Sequence, residues 1–120
     1  VAYPLFCRLQ HDRERLLDIL EALDKIESRR GNDRSEFDTD EMLQIWIVHY
    51  LQIIGEAAGR LSVQITDKYP EVGWGQMIGM RHVLVHGYFE IDQDIVWSAV
   101  IVNLPTLKKQ IEEILEQWDE

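Results

Sequence analysis

Asp38-Thr39-Asp40-Glu41-Met42-Leu43-Gln44-Ile45-Trp46-Ile47-Val48-His49-Tyr50-Leu51-Gln52-Ile53-Ile54-Gly55-Glu56-Ala57 is the stretch that decides the fold. Asp38, with Glu41 three residues on, reads as a capping box that satisfies the free N–H groups of a helix start. Met42, Ile45, Trp46, His49, Ile53 and Ala57 then recur at helical spacing, which predicts one long helix with that side turned inward. On such a side His49 is expected to be a hydrogen-bonded core histidine. The small residues of Gly55-Glu56-Ala57-Ala58-Gly59 are expected to permit close helix packing. A buried Glu56 needs a partner there, an arginine or a helix end.

Outward from this helix the pattern stays helical. Asp12 is expected to cap a first helix whose stripe is Leu16, Leu17, Leu20, Leu23 and Ile26. Gly31-Asn32-Asp33 breaks it, and a polar loop is expected up to Asp38. Ser62 starts a short continuation or separate turn that ends before Pro70. Residues 70–75 form a connector, and Gln76 to His86 is a further helix, with Gly87 where a C-terminal cap glycine belongs. Asp92 caps a last helix carrying Ile95, Val96, Ala99, Val100 and Val102. Pro105 should kink or split it before Leu107, Ile111, Ile114 and Leu115 carry the stripe onward. The expectation is an all-α chain, an antiparallel bundle of four to five helices forming a single domain over residues 1–120.

Composition narrows the class. A chain of 120 residues that is 46% hydrophobic suffices for one apolar core. The lone cysteine, Cys7, excludes an intrachain disulfide and fits a reducing compartment. No stretch approaches the roughly 20 apolar residues that span a bilayer. The opening residues 1–7 are too short for a secretory signal and lack its basic flank. A cytoplasmic protein is expected.

The formal charge of −10 argues against a nucleic-acid partner at first sight. From Met42 to Phe89, however, Arg60, Lys68 and Arg81 balance Glu56, Asp67 and Glu71, and His49, His82 and His86 lie in the same stretch. The acidic excess comes from the flanks, where it suits docking to a basic partner. Arg29, Arg30 and Arg34 form a separate basic cluster, read either as phosphate contacts or as a solvated loop.

The chemistry concentrates in Arg81-His82-Val83-Leu84-Val85-His86-Gly87-Tyr88, a fixed cation, two imidazoles and a phenol within about two helical turns. An arginine and a histidine together can cut RNA without a metal, through one proton-transfer group and one positive charge on the phosphate. At about 100° per residue, Arg81 and His86 stand roughly 140° apart around their helix. One helix therefore does not aim both at one point, whereas a twofold dimer lines a single cleft with both from each subunit. Gly79, His82, Val83 and His86 share a face, where Gly79 leaves room for close approach. Each residue also has a plainer reading: Arg81 as a surface ion pair, His82 and His86 as a metal pair, Tyr88 and Phe89 as anchors of a turn.

The run Arg81-x4-His86-x-Tyr88 resembles the Arg-x4-His-x-Tyr signature of the HEPN superfamily, and the chain looks like a HepT-type toxin. Leu51-Gln52-Ile53-Ile54-Gly55-Glu56-Ala57 resembles a block of that family's second helix. Tyr69-Pro70-Glu71-Val72-Gly73-Trp74 and Ile78-Gly79-Met80-Arg81 resemble the approach to its motif. Tyr88-Phe89-Glu90-Ile91-Asp92, Val96-Trp97 and Leu104-Pro105-x-Leu107 resemble the family's segments C-terminal to the motif. Departures are His82 where the family usually has Asn, His49-Tyr50 in place of an Arg-Asn pair, and Gln52 in place of Glu.

The resemblance implies a HEPN-like homodimer whose two motifs form a metal-independent endoribonuclease site, with no cofactor. Arg81 and His86 would be catalytic, His82 a possible auxiliary, and RNA the substrate, cut to leave a 2′,3′-cyclic phosphate. It further implies a toxin of a type VII-like toxin–antitoxin pair, neutralised when an MntA-like minimal nucleotidyltransferase transfers AMP to Tyr88. The rival reading is a non-catalytic helical subunit that docks a nucleotidyltransferase. A weaker third reading is a metal-binding bundle built on His82 and His86.

Overall fold

The computed structural model describes residues 5–31, 33–86 and 92–118; the side chains of residues 5–10, 85 and 86 fall outside that description. The described elements are helical throughout: α1 (Leu5–Arg29), α2 (Arg34–Thr39), α3 (Glu41–Gly59), α4 (Val63–Lys68), α5 (Trp74–His86), α6 (Gln93–Ser98), a π-helical turn (Ala99–Asn103) and α7 (Leu104–Glu116). The all-α bundle expected from the sequence is what the chain forms. No described helix is long and apolar enough to cross a membrane.

At the centre lies α3, with α1 against one side and α5 against another, while α7 packs on α1. The core between them is aliphatic: Leu16, Ile19, Leu23 and Ile26 of α1 meet Ile47, Leu51 and Ile54 of α3 and Leu107, Ile111 and Ile114 of α7. Each such buried side chain stabilises the fold by about 1.5–3 kcal/mol relative to exposure. Gly31 ends α1 as expected, in a left-handed conformation (φ 71°) that glycine adopts without a Cβ clash.

Several local expectations are corrected. Asp12 does not cap α1, which already runs through residues 5–11. Its side chain, 2% exposed, reaches instead to Ser62, where it accepts from the backbone N–H at 2.9 Å and from the hydroxyl. This cross-chain bond satisfies the start of α4, because Ser62 makes no capping bond with its own side chain. The cap of α3 is Asp40, which accepts from Leu43 N–H at 3.1 Å. Asp38 belongs to α2, a helix in the stretch where a polar loop is expected; Asp33 caps it and Phe37 pins it, fully buried against Trp97 at 5.1 Å between ring centroids.

The phase of α3 is also corrected. Its core face is Ile47, Leu51, Ile54, Ala57 and Ala58. Met42 and Ile45, expected inside, are 74% and 57% exposed. His49 is exposed, with its ring 5.1 Å from that of Tyr50, and is not a core histidine. Glu56 is exposed too, and pairs with Arg60 one turn on at 2.9 Å.

In the last helical pair, Asp92 caps α6 by accepting from Asp94 N–H, as expected. Pro105 has no N–H to donate to the carbonyl four residues back. The ladder shifts register one residue before it, where Leu104 N–H bonds Ala99 O across five residues. The expected kink is thus a π-helical turn, the usual device for absorbing an extra residue in a helix. Ile95 and Val102, expected in the stripe, are 50% and 63% exposed.

Candidate active site

Arg81 is half-buried on α5, with the root of its side chain against α3. A Cβ placed on Gly55 would stand 2.4 Å from Arg81 Cβ and 2.7 Å from the carbonyl oxygen of Met77. One turn on, a Cβ on Gly59 would meet Ile78 Cγ1 at 3.9 Å, an ordinary contact. Rising numbers on α3 thus meet falling numbers on α5, so the two helices run antiparallel, and they stand closer at Gly55 than at Gly59. The expectation that this glycine segment permits close packing is met within one chain.

The two flanks of the α3–α5 pair differ. One flank opens into a cleft of about 990 Å³, whose walls include Leu51, Ile54, Met77, Met80, Trp74 and Val102. Asp67 and Glu71 also line it, without a lysine or arginine among the lining residues. Around α3, Gln52, Glu56 and His49 lie about 60°, 100° and 120° from Gly55, and around α5 His82 lies about 100° from Arg81, in the same rotational sense. For antiparallel helices that sense places all four on the flank opposite the cleft. His49, Glu56 and His82 are exposed there, and Val83, on the solvent side of α5, is 57% exposed. Among the described residues, nothing stands within 4 Å of a Cβ built on Gly79 or Gly75.

His86 ends α5, but its side chain lies outside the described residues, and Tyr88 falls wholly outside them. The expected cap at Gly87 is outside them as well. Of the four reactive residues of the run, Arg81 and His82 are therefore the ones whose side chains the structure describes.

The basic cluster is engaged within the fold. The Arg29 guanidinium lies 5.5 Å from the Trp46 ring centroid, and Arg30 donates to Gly31 O at 2.9 Å. Arg34 bonds Asp94 and Asp38, and those hydrogen bonds, that to Asp94 first, raise its pKa further above the ordinary arginine value. These charges hold α2 to α6 and cover Trp46 rather than converging on a phosphate site. Among the described residues, no group of three or more His, Cys, Asp or Glu side chains gathers as a metal cage requires. Sequence reasoning missed the pairing of Gly55 with Arg81; the run of small residues marked a close contact without naming its partner.

The family model described as "Ribonuclease HepT-like" matches residues 19–114. The chain is 39% identical over 98 residues to "Putative RNase MJ1380" of Methanocaldococcus jannaschii, covering 81% of this chain and 90% of that protein. It is 36% identical over 92 residues to "Putative RNase TTE0752" of Caldanaerobacter subterraneus, covering 77% and 82%. It is 33% identical over 103 residues to "Probable ribonuclease HepT" of Thermococcus cleftensis, covering 85% and 94%. No solved structure gives a significant match. With its helical bundle and its Arg81-x4-His86-x-Tyr88 run, this chain belongs to the HepT-like ribonuclease family.

Proposed function

We propose that the protein is a metal-independent endoribonuclease, the toxin of a two-component pair, acting in the cytoplasm as a homodimer of one HEPN-like domain over residues 1–120. The observation that carries this reading is the seating of Arg81 against Gly55 of α3, five residues before His86 on the same helix. Family membership supplies the reaction class. Support for the dimer comes from α5, which carries apolar residues on its outer as well as its inner side yet packs chiefly on α3. The open surface at Gly79 and Val83 suits a second copy of the same helix, and brings an Arg81 and a His86 from each subunit to one cleft.

In this site His86 takes the proton from a ribose 2′-hydroxyl, whose oxygen attacks the adjacent phosphorus. The bond to the 5′-oxygen breaks, an imidazolium returns a proton to that oxygen, and a 2′,3′-cyclic phosphate remains. Such proton transfer contributes about 10²–10⁴-fold. Arg81 holds the scissile phosphate and stabilises the extra negative charge of the phosphorane, a task suited to a guanidinium that stays charged and bonds in bidentate fashion. His82, four residues before His86 on the same helix, is an auxiliary to that proton transfer.

Neutralisation rests on the same chemistry. The Tyr88 hydroxyl attacks the α-phosphorus of ATP on a partner nucleotidyltransferase, pyrophosphate leaves, and Tyr88 carries a negative phosphodiester seven residues along the chain from Arg81. That group blocks the cleft between the two subunits and repels RNA phosphate. Intact-mass and peptide analysis after co-expression with the cognate nucleotidyltransferase tests this step: adenylylated Tyr88 is expected, and unmodified Tyr88 in a neutralised complex contradicts it. The charge of −10 favours a second reading, a non-catalytic docking subunit, which RNA cleavage by the purified protein excludes.

A further inference from the structure

We infer that Gly55 is a positioning residue for Arg81: it sets where the guanidinium stands by fixing the root of its side chain against the backbone of α3. The inference rests on the proposal that Arg81 acts on the scissile phosphate. A Cβ at Gly55 would lie 2.4 Å from Arg81 Cβ, 3.3 Å from Arg81 Cγ and 2.7 Å from Met77 O. Ordinary contact begins near 3.4 Å, so α5 must move outward by about 1 Å to admit one methyl group. Two of the three obstructing atoms are a backbone oxygen and a Cβ, which no rotamer change displaces.

The constraint is local. Gly59, one turn along α3, has ordinary room toward α5, and Gly75 and Gly79 on α5 have nothing within 4 Å among the described residues. Gly55 is itself buried, and α5 packs chiefly on α3. The glycine thus fixes the distance of the reactive helix at the residue that bears the cation. The freedom left to Arg81 lies in its outer torsions, which suits a guanidinium that must meet a phosphate in one geometry. A displacement of about 1 Å at a reacting centre costs on the order of 10²-fold in rate.

The experiment compares wild type, Gly55→Ala, Gly59→Ala, Arg81→Ala and the Gly55→Ala/Arg81→Ala double variant. Each is assayed for kcat and KM on a fluorophore–quencher RNA oligonucleotide, with helical content and oligomeric state measured on the same samples. Gly55→Ala is expected to keep its helicity and oligomeric state and to lose on the order of 10²-fold in kcat. Gly59→Ala is expected to keep wild-type kcat. The double variant is expected to be no slower than Arg81→Ala, because a misplaced group and a missing one are the same loss. Wild-type kcat in Gly55→Ala, multiplied losses in the double variant, or unfolding of Gly55→Ala would each overturn the positioning role while leaving Arg81 catalytic. Full activity of Arg81→Ala, or no cleavage by wild type, would overturn the underlying reading and this inference with it.

Discussion

The carboxylate of Asp12 accepts two hydrogen bonds from Ser62, one from its backbone N–H at 2.9 Å and one from its hydroxyl, across 50 positions of sequence. It ties the middle of α1 to the corner between α3 and α4. Removing the carboxylate leaves the half-buried Ser62 N–H at the start of α4 without its acceptor, which costs about 1 kcal/mol. Asp12→Ala is therefore expected to lower thermal stability by several degrees, and Asp12→Asn, which keeps one acceptor, by less. Thermal unfolding of the two variants checks the order; equal stability of Asp12→Ala and wild type contradicts it.

The open face of α5 leads to a prediction about assembly. Val83 is 57% exposed, one turn from Gly79, where none of the described residues comes within 4 Å of an added Cβ. Val83→Glu places a charge where the proposed dimer buries an apolar surface, an uncompensated burial that costs several kcal/mol. Light scattering is expected to show a dimer for wild type and a monomer for Val83→Glu, with RNA cleavage lost alongside. A dimeric, active Val83→Glu contradicts the proposed use of this face.

Lys108 makes a third test through pH. Its ammonium bonds Glu27 at 2.8 Å and Asp24 at 3.1 Å, fastening α7 to α1, and those hydrogen bonds, Glu27 first, raise its pKa above the ordinary lysine value of 10.5. A group whose folded pKa is raised contributes fully below its unfolded value and loses the contribution as pH climbs toward the folded one. The bridge is largely solvent-screened, so Lys108→Met is expected to cost at most about 1 kcal/mol at neutral pH. The stability difference between variant and wild type should hold up to about pH 10 and shrink above 10.5. A difference that grows with alkalinity reverses the assigned sign.

Much of the bundle was legible because single residues mark its breaks. Gly31, Ser62, Asp92 and Pro105 each stand at the boundary their chemistry predicts. The phase of α3 was not legible, since Met42, Ile45, Trp46 and Ile53 rival Ile47, Leu51 and Ile54 as an apolar stripe. Packing on α1 and α5 decides which of the two faces inward. Helix α2 was hidden because six residues give too little periodicity, and the burial of Phe37 against Trp97 holds it in place. Within the site, Arg81, His86 and Tyr88 stand out by residue type and spacing. The contact of Gly55 with Arg81 joins residues 26 apart, and no local pattern encodes it.

Proton transfer by His86 in a metal-free cleavage of RNA is tested most directly by measuring cleavage by purified wild type and His86→Ala in EDTA, with analysis of the 3′ ends. Wild type is expected to cut and leave 2′,3′-cyclic phosphate, and His86→Ala, equally folded, to be slower by about 10²–10⁴-fold. Equal cleavage by the two proteins, or none by wild type with Tyr88 verified as unmodified, would contradict it.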